Sequence, residues 1–267
     1  QSGGNYNVFI GDEAGQAITT GDKNVAIGFE ALSTEDTHGF NVAVGYQSLK
    51  TLNAGQDGFH TAVGYLAGTA MTTGFANTFI GGLAGDALTE GNNNVGVGVL
   101  ALSTETKGAK SVGVGYGALS TQNTTSASDI YNTGVGYFAG ANITTGSLNT
   151  LVGGLSGDAL TDGTTNCALG YLTLSAETSG QRNTAMGYSA LANQNGASET
   201  QSLNTAYGFF AGLNITTGIQ NVFIGANAGD SCTDDDHNTF VGYNSGSAVN
   251  GGFRNTFLGK DSGDAMT

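Results

Sequence analysis

The chain has 267 residues, of which 46 are glycine, and it contains no proline, no tryptophan and only 10% charged residues. Its formal net charge of −14 leaves seven lysines and arginines to neutralise phosphates, which excludes a nucleic-acid partner. No apolar run is long enough to insert into a membrane, and no signal peptide is visible.

A five-residue motif, Asn-Val-Ala-Ile-Gly at residues 24–28, recurs fifteen times. Successive copies are 17 residues apart, except for steps of 19, 21 and 21 residues after Gly45, Gly115 and Gly187. A fixed period of this size is typical of a solenoid, in which each repeat is one coil stacked on the next. We therefore predict an all-β fold, a parallel β-solenoid (β-roll) of about fifteen 17-residue coils. It forms a single repetitive domain over residues 1–267, which we expect to be a fragment of a longer fibrous protein.

Each motif predicts a short β-strand. The first and third residues, Val25 and Ile27 in the second copy, are β-favouring or aliphatic in almost every repeat, so we expect them to point into the coil. The middle residue, Ala26, would then face outward, although this position is apolar or glycine throughout. A strand that is apolar on both faces is usually buried on both faces, which predicts that the middle position packs against another copy of the chain.

The residue after the motif glycine is aromatic in nine repeats. It is small where the middle residue is large: Gly82 follows Phe79, and Gly154 follows Leu151. This exchange of large and small residues indicates that the two side chains fill one volume. We therefore predict a trimer interface that draws on both positions. Its candidates are Phe9, Phe79, Leu151, Phe223, Phe240, Phe257, Tyr46, Tyr65, Tyr116, Tyr137, Tyr171 and Tyr188.

Asparagine opens thirteen of the fifteen motifs, with His60 and Ser111 in the other two. Stacked at one position, these side-chain amides are expected to hydrogen-bond to turn backbones or to one another along the stack. The predicted structural ladder comprises Asn7, Asn24, Asn41, Asn77, Asn94, Asn132, Asn149, Asn166, Asn183, Asn204, Asn221, Asn238 and Asn255.

Three insertions, at residues 53–58, 123–130 and 195–201, follow repeats 3, 7 and 11. Loops on a rigid scaffold often carry binding diversity, although tolerated solvent loops explain them equally well. The acidic run 234–236 offers hard oxygen ligands for calcium or forms a solvated turn. Cys167 and Cys232 lie too far apart along the stack for a disulfide, and Cys167 is predicted to be buried. No catalytic, cofactor or metal motif is present, so we expect neither enzyme activity nor a cofactor.

The motifs NVAIG, NVAVG, NTFIG and NTAMG resemble the head repeats of trimeric autotransporter adhesins, whose coils are shorter. The phrases NTAMGYSAL and NITTG are still more similar to the repeat shafts of bacteriophage tail fibres. The resemblance covers the whole chain and implies a left-handed roll, a homotrimer and an extracellular role in fibre structure or attachment. Its implied partners are the chain itself and a host-cell surface glycan or protein.

The sequence thus predicts a non-enzymatic fibre segment, the shaft or head of a phage tail fibre or a surface adhesin. A different class remains as the alternative, an ice-binding or other surface-binding solenoid. Threonine pairs favour it, such as Thr72 with Thr73 and Thr144 with Thr145, although these pairs recur only every fourth coil.

Overall fold

The computed structural model describes residues 3–196 and 201–264. The chain divides into two compact units, Gln1–Tyr131 and Asn132–Thr267. The single domain expected from the repeat stays a prediction.

Every motif forms a three-residue strand. The first unit contains β1 (Val8–Ile10), β2 (Val25–Ile27), β3 (Val42–Val44), β4 (Thr61–Val63), β5 (Thr78–Ile80), β6 (Val95–Val97) and β7 (Val112–Val114). The second contains β8 (Thr133–Val135), β9 (Thr150–Val152), β10 (Cys167–Leu169), β11 (Thr184–Met186), β12 (Thr205–Tyr207), β13 (Val222–Ile224), β14 (Thr239–Val241) and β15 (Thr256–Leu258).

Within each unit the strands pair in parallel and in chain order, with equivalent motif residues opposite one another. The register of Val25, Ala26 and Ile27 with Val42, Ala43 and Val44 is typical. The described residues contain no helix, and the connections are turns and bends. The predicted parallel β-solenoid of about fifteen 17-residue coils is therefore confirmed.

The motif glycine is required by the distance between coils. Gly28 has a φ of 131°, a conformation that other residues rarely adopt. A Cβ at this position would lie 2.4 Å from the carbonyl oxygen of Gly45, its counterpart in the next coil. Successive coils can approach this closely only where neither residue carries a side chain.

The prediction of which strand residues point inward is wrong. The middle residue faces the interior of its own coil, and Phe79 is only 1% exposed. The first and third residues face outward and are half-buried or exposed. Four of the interface candidates, Phe79, Leu151, Phe223 and Phe240, are thus core residues that cannot reach another chain. Phe9 and Phe257 also point inward, where their rings contact Gly15 and Gly263.

The residue that shares volume with the middle position is the fourth after the motif glycine. A Cβ at Gly85 would lie 2.4 Å from the Phe79 ring. Six coils with a small middle residue, such as Ala26, carry a buried leucine such as Leu32 at that place, whereas three others have glycine there, as Gly68 follows Ala62. The predicted exchange with the residue directly after the glycine is wrong, because that residue lies outside the coil. The interior is narrow enough that one large side chain excludes the other.

Exchanging one interior pair tests this volume rule. Gly85→Leu should be strongly destabilising, because its side chain would overlap the Phe79 ring. Phe79→Ala alone should cost about 3–5 kcal/mol through the cavity it leaves. The double variant reproduces the pair of Ala26 and Leu32, and Leu32 already adopts a left-handed φ of 51°, close to the 57° of Gly85.

We therefore expect the double variant to melt at a higher temperature than either single variant, measured by circular dichroism. A double variant no more stable than Gly85→Leu would contradict the assignment of the two positions to one shared volume.

Candidate functional site

The outward residues of the strands form what we call the outer strand face, which consists of the first and third residues of each strand. All thirty of these residues are uncharged, and most are valine, threonine, isoleucine or leucine. Ile80, Leu169 and Ile224 are among its exposed members. In a chain with 28 charged residues, an exposed apolar surface with no charge is typical of an interaction site.

An aromatic column lies beside this face, at the position after the motif glycine. In the first unit Phe29 stacks on Tyr46 with ring centroids 5.4 Å apart, and Tyr46 stacks on Tyr65 at 5.6 Å. In the second unit Tyr188 stacks on Phe209 at 5.4 Å. These rings are exposed, Tyr65 by 56%.

All six tyrosine candidates for the trimer interface lie on the surface in this column: Tyr46, Tyr65, Tyr116, Tyr137, Tyr171 and Tyr188. Their role in a trimer stays a prediction.

The ladder asparagines connect each coil to the next one. Nδ2 of Asn24 donates to the carbonyl oxygen of His38 at 3.1 Å, and its Oδ1 accepts the backbone N–H of Asn41 at 3.0 Å. The same pair of bonds recurs at Asn149, with Gly163 and Asn166 as partners. The ladder hydrogen-bonds as the sequence pattern predicts, except that the buried Nδ2 of Asn41 has no hydrogen-bond partner. The interior members of the ladder are fully buried. A buried amide without such partners would be costly, so these bonds also hold the coils in register.

His60 replaces asparagine in the ladder and makes equivalent hydrogen bonds. Its Nε2 donates to the carbonyl oxygen of Gly74 at 2.8 Å, and its Nδ1 accepts the N–H of Asn77 at 3.2 Å. Only a neutral imidazole protonated at Nε2 can do both. Burial lowers the pKa of His60 to about 4, and the hydrogen bond that its Nε2 donates to Gly74 opposes that shift.

A buried glutamate anchors each insertion, a feature that the sequence analysis did not find. Glu105 lies fully buried in the coil before the second insertion. Its Oε1 accepts the N–H groups of Gly108 at 2.7 Å and Thr124 at 3.1 Å, and its Oε2 accepts Nε2 of Gln122 at 2.9 Å. The carboxylate thus closes its own turn and fixes the start of the loop in the next coil.

Glu35 and Glu177 occupy the same place beneath the first and third insertions and are also fully buried. Glu35 Oε2 accepts the N–H of Ala54 at 3.0 Å, and Glu177 Oε2 accepts Nε2 of Gln194 at 3.0 Å. A glutamate one coil before the start of each insertion is the sequence pattern that could have revealed these anchors. Residues 197–200 of the third insertion lie outside the described part of the chain.

The aspartates of the acidic run 234–236 accept hydrogen bonds from different parts of the chain. Asp235 is buried and accepts the N–H groups of Thr233 and Gly252, whereas Asp236 accepts the N–H of Ile219 at 2.7 Å. Within the described residues, only Glu35, Asp36 and His38 bring three potential metal-ligating atoms within 4.8 Å of one another. Oε1 of Glu35 already accepts the N–H groups of Asp36 and His38, both at 3.1 Å. The described residues of the acidic run do not bring three ligand atoms together. A calcium site there stays a prediction.

Both cysteines are free, as expected from their separation. The prediction that Cys167 is buried is wrong, because its motif position belongs to the outer strand face. Cys232 is buried, and burial, followed by the nearby carboxylates of Asp235 and Asp230, raises the pKa of its thiol. The Cys232 thiol therefore lacks the lowered pKa of a reactive cysteine.

Comparison of the chain with known protein families, curated proteins and solved structures found no match in any of the three. Across residues 3–196 and 201–264, no helix has the length and apolar character needed to cross a membrane. The candidate site therefore rests on the surface geometry of the chain itself.

Replacing His60 tests the pH dependence of the ladder. Its folded pKa of about 4 lies below the usual value of 6.5, so the unfolded chain binds the proton first as the pH falls. The contribution of His60 to stability is therefore complete above about pH 6.5 and is lost as the pH falls toward 4. A shift of this size corresponds to about 3 kcal/mol.

His60→Asn keeps both hydrogen bonds and removes the titrating group. We expect this variant to lose less free energy of unfolding than the wild type between pH 7 and pH 5, measured by urea denaturation. Parallel losses in the two proteins would contradict a buried neutral imidazole at this position.

Replacing Glu105 tests the anchor of the second loop. Glu105→Gln removes the charge and turns an N–H₂ group toward backbone donors, so we expect a loss of about 3–5 kcal/mol, as for a broken buried charge network. The backbone amides of residues 122–130 should exchange faster in hydrogen–deuterium exchange. The exposed Glu13→Gln serves as the matched control. Unchanged loop exchange in Glu105→Gln would exclude the anchoring role.

Proposed function

We propose that this chain is a non-enzymatic structural and attachment segment. In this proposal it is a left-handed β-solenoid that assembles as a homotrimer and forms the shaft or head of a phage tail fibre or a cell-surface adhesin, outside the cell. The observation that carries the proposal is the uncharged outer strand face with its exposed aromatic column.

A second copy of the chain is the partner that suits this surface best. The face repeats at the spacing of one strand, about 4.8 Å, and a copy of the chain repeats at the same spacing. The chain carries a net charge of −14, and copies avoid mutual repulsion most easily where they meet through uncharged residues. Closed rotational symmetry then limits assembly to a small oligomer, and the motif resemblance supports three chains.

Attachment is supported by the way the insertions are held. Each insertion begins over a buried carboxylate that accepts backbone or side-chain N–H groups, so the loops start from a rigid base. Three chains would present each loop three times, which raises a weak contact per chain to a useful avidity.

A threonine column favours the alternative, a surface that binds ice. Thr72, Thr89 and Thr106 occupy one position in three consecutive coils, more regularly than the pairs in the sequence indicated. However, Thr72 and Thr89 donate their hydroxyl groups to carbonyl oxygens of the next coil, at 3.1 Å and 2.9 Å. Both hydroxyl groups are thus already hydrogen-bonded to the backbone. A measurement of thermal hysteresis distinguishes the two functions, because an ice-binding protein shows it and a fibre segment does not.

Light scattering during size exclusion tests the proposed assembly. We expect a native mass of three times the 26.7 kDa chain mass. Ile80→Glu combined with Tyr65→Glu places charges on the outer strand face and the aromatic column, and should convert the trimer to monomers. Thr73→Glu, an exposed position outside both surfaces, serves as the control and should leave the mass unchanged.

A wild-type chain that is monomeric at high concentration would overturn the trimer. A trimer that tolerates the double substitution would place its interface elsewhere on the chain.

A further inference from the structure

A polar cavity of about 450 Å³ lies beside the second insertion, entirely within the first unit. Its lining comes from three neighbouring turns: Glu90 and Asn92, Lys107 and Ala109, and residues 127–129 of the insertion. Cavities of roughly 300–1,000 Å³ are the size that holds a small ligand.

The wall formed by the insertion is held in place by hydrogen bonds. The backbone N–H of Ala109 donates to the carbonyl oxygen of Ser128, and the N–H of Ile130 donates to that of Ala109, both at 3.0 Å. Glu105 fixes the start of the same loop through Thr124. The cavity is therefore preformed, and a ligand would not have to order the loop on binding.

The charges around the cavity are balanced in pairs. Nζ of Lys107 lies 3.1 Å from Oε1 of Glu90, and Nζ of Lys110, at the rim, lies 2.7 Å from Oδ2 of Asp129. Lys110 and the hydroxyl of Tyr131 hold the pKa of the Asp129 carboxyl below its usual value, with the Lys110 hydrogen bond as the larger cause. Because both lysines face carboxylates, the site has no surplus charge to attract a phosphate or a divalent cation.

The lining instead combines donors and acceptors with small apolar patches. The carboxylates of Glu90 and Asp129 accept hydrogen bonds, the ammonium of Lys107 donates them, and the amide of Asn92 has groups of both kinds. Ala109 and Ala127 add methyl groups. A sugar ring matches this mixture, because it carries hydroxyl groups around its edge and C–H groups on its faces.

We propose that this cavity binds one pyranose residue of an uncharged saccharide. The proposal rests on the attachment role given above, since it names the chemistry that the second loop would recognise, but it does not depend on the trimer. A cavity in each copy would let three weak sites act on one glycan-bearing surface.

Saturation-transfer NMR on the wild-type protein tests this proposal. The probes are the methyl glycosides of glucose, galactose, mannose, rhamnose and N-acetylglucosamine, used one at a time. We expect transfer to at least one of them. Ala127→Trp fills the cavity from its exposed wall, and Asp129→Asn removes a charged acceptor, so transfer should fall to background in the first and weaken in the second.

Gly55→Trp is the matched control, because a side chain at this place in the first insertion meets open space. Transfer should be unchanged in it. Absence of transfer to every probe, or transfer that persists in Ala127→Trp, would overturn the proposal. Light scattering on the same samples reports the trimer separately, so failure of sugar binding and failure of the proposed assembly are distinguishable.

Discussion

Backbone hydrogen bonds between successive coils keep every position aligned with the same position one repeat away. Gly28 donates its N–H to Ile10 at 2.8 Å, and Val25 donates its N–H to Asn41 at 2.8 Å. Each position in the repeat consequently becomes a column along its unit. A column of like charges would place them about 4.8 Å apart, which is repulsive, and this accounts for the scarcity of charged residues. Columns of asparagine or of aromatic rings are favourable, because amides hydrogen-bond and rings stack.

Equivalent residues are also stacked in the interior of the coil, where the space for side chains is limited. Each strand contributes one inward side chain, so a phenylalanine such as Phe79 requires glycine at Gly85, and an alanine such as Ala26 allows Leu32. Among the described residues, the buried glutamates lie where backbone donors surround them, as at Glu105. Irregularity in the core and irregularity on the surface are therefore connected, since each buried glutamate lies beneath an insertion.

The chain therefore has surfaces suited to different kinds of contact. The outer strand face and the aromatic column are regular and uncharged, which suits contact with another copy of the same regular object. The second insertion interrupts that regularity and creates a cavity with paired charges and mixed polarity. Assembly and recognition can then reside in different columns of one scaffold, and a change in one need not disturb the other.

The sequence by itself determined the solenoid, the coil length, the strand positions and the asparagine ladder, because a strict period leaves few ways to align the backbone. It did not determine which strand face points inward. Val25, Ala26 and Ile27 are all apolar, and hydrophobicity alone cannot distinguish an interior from an exposed apolar face. Only the tertiary structure showed that a coil of this width admits the middle residue, as at Phe79, and leaves Ile80 outside. The tertiary structure also brought Glu105, Gln122 and Thr124 together, since contacts across an insertion depend on its path.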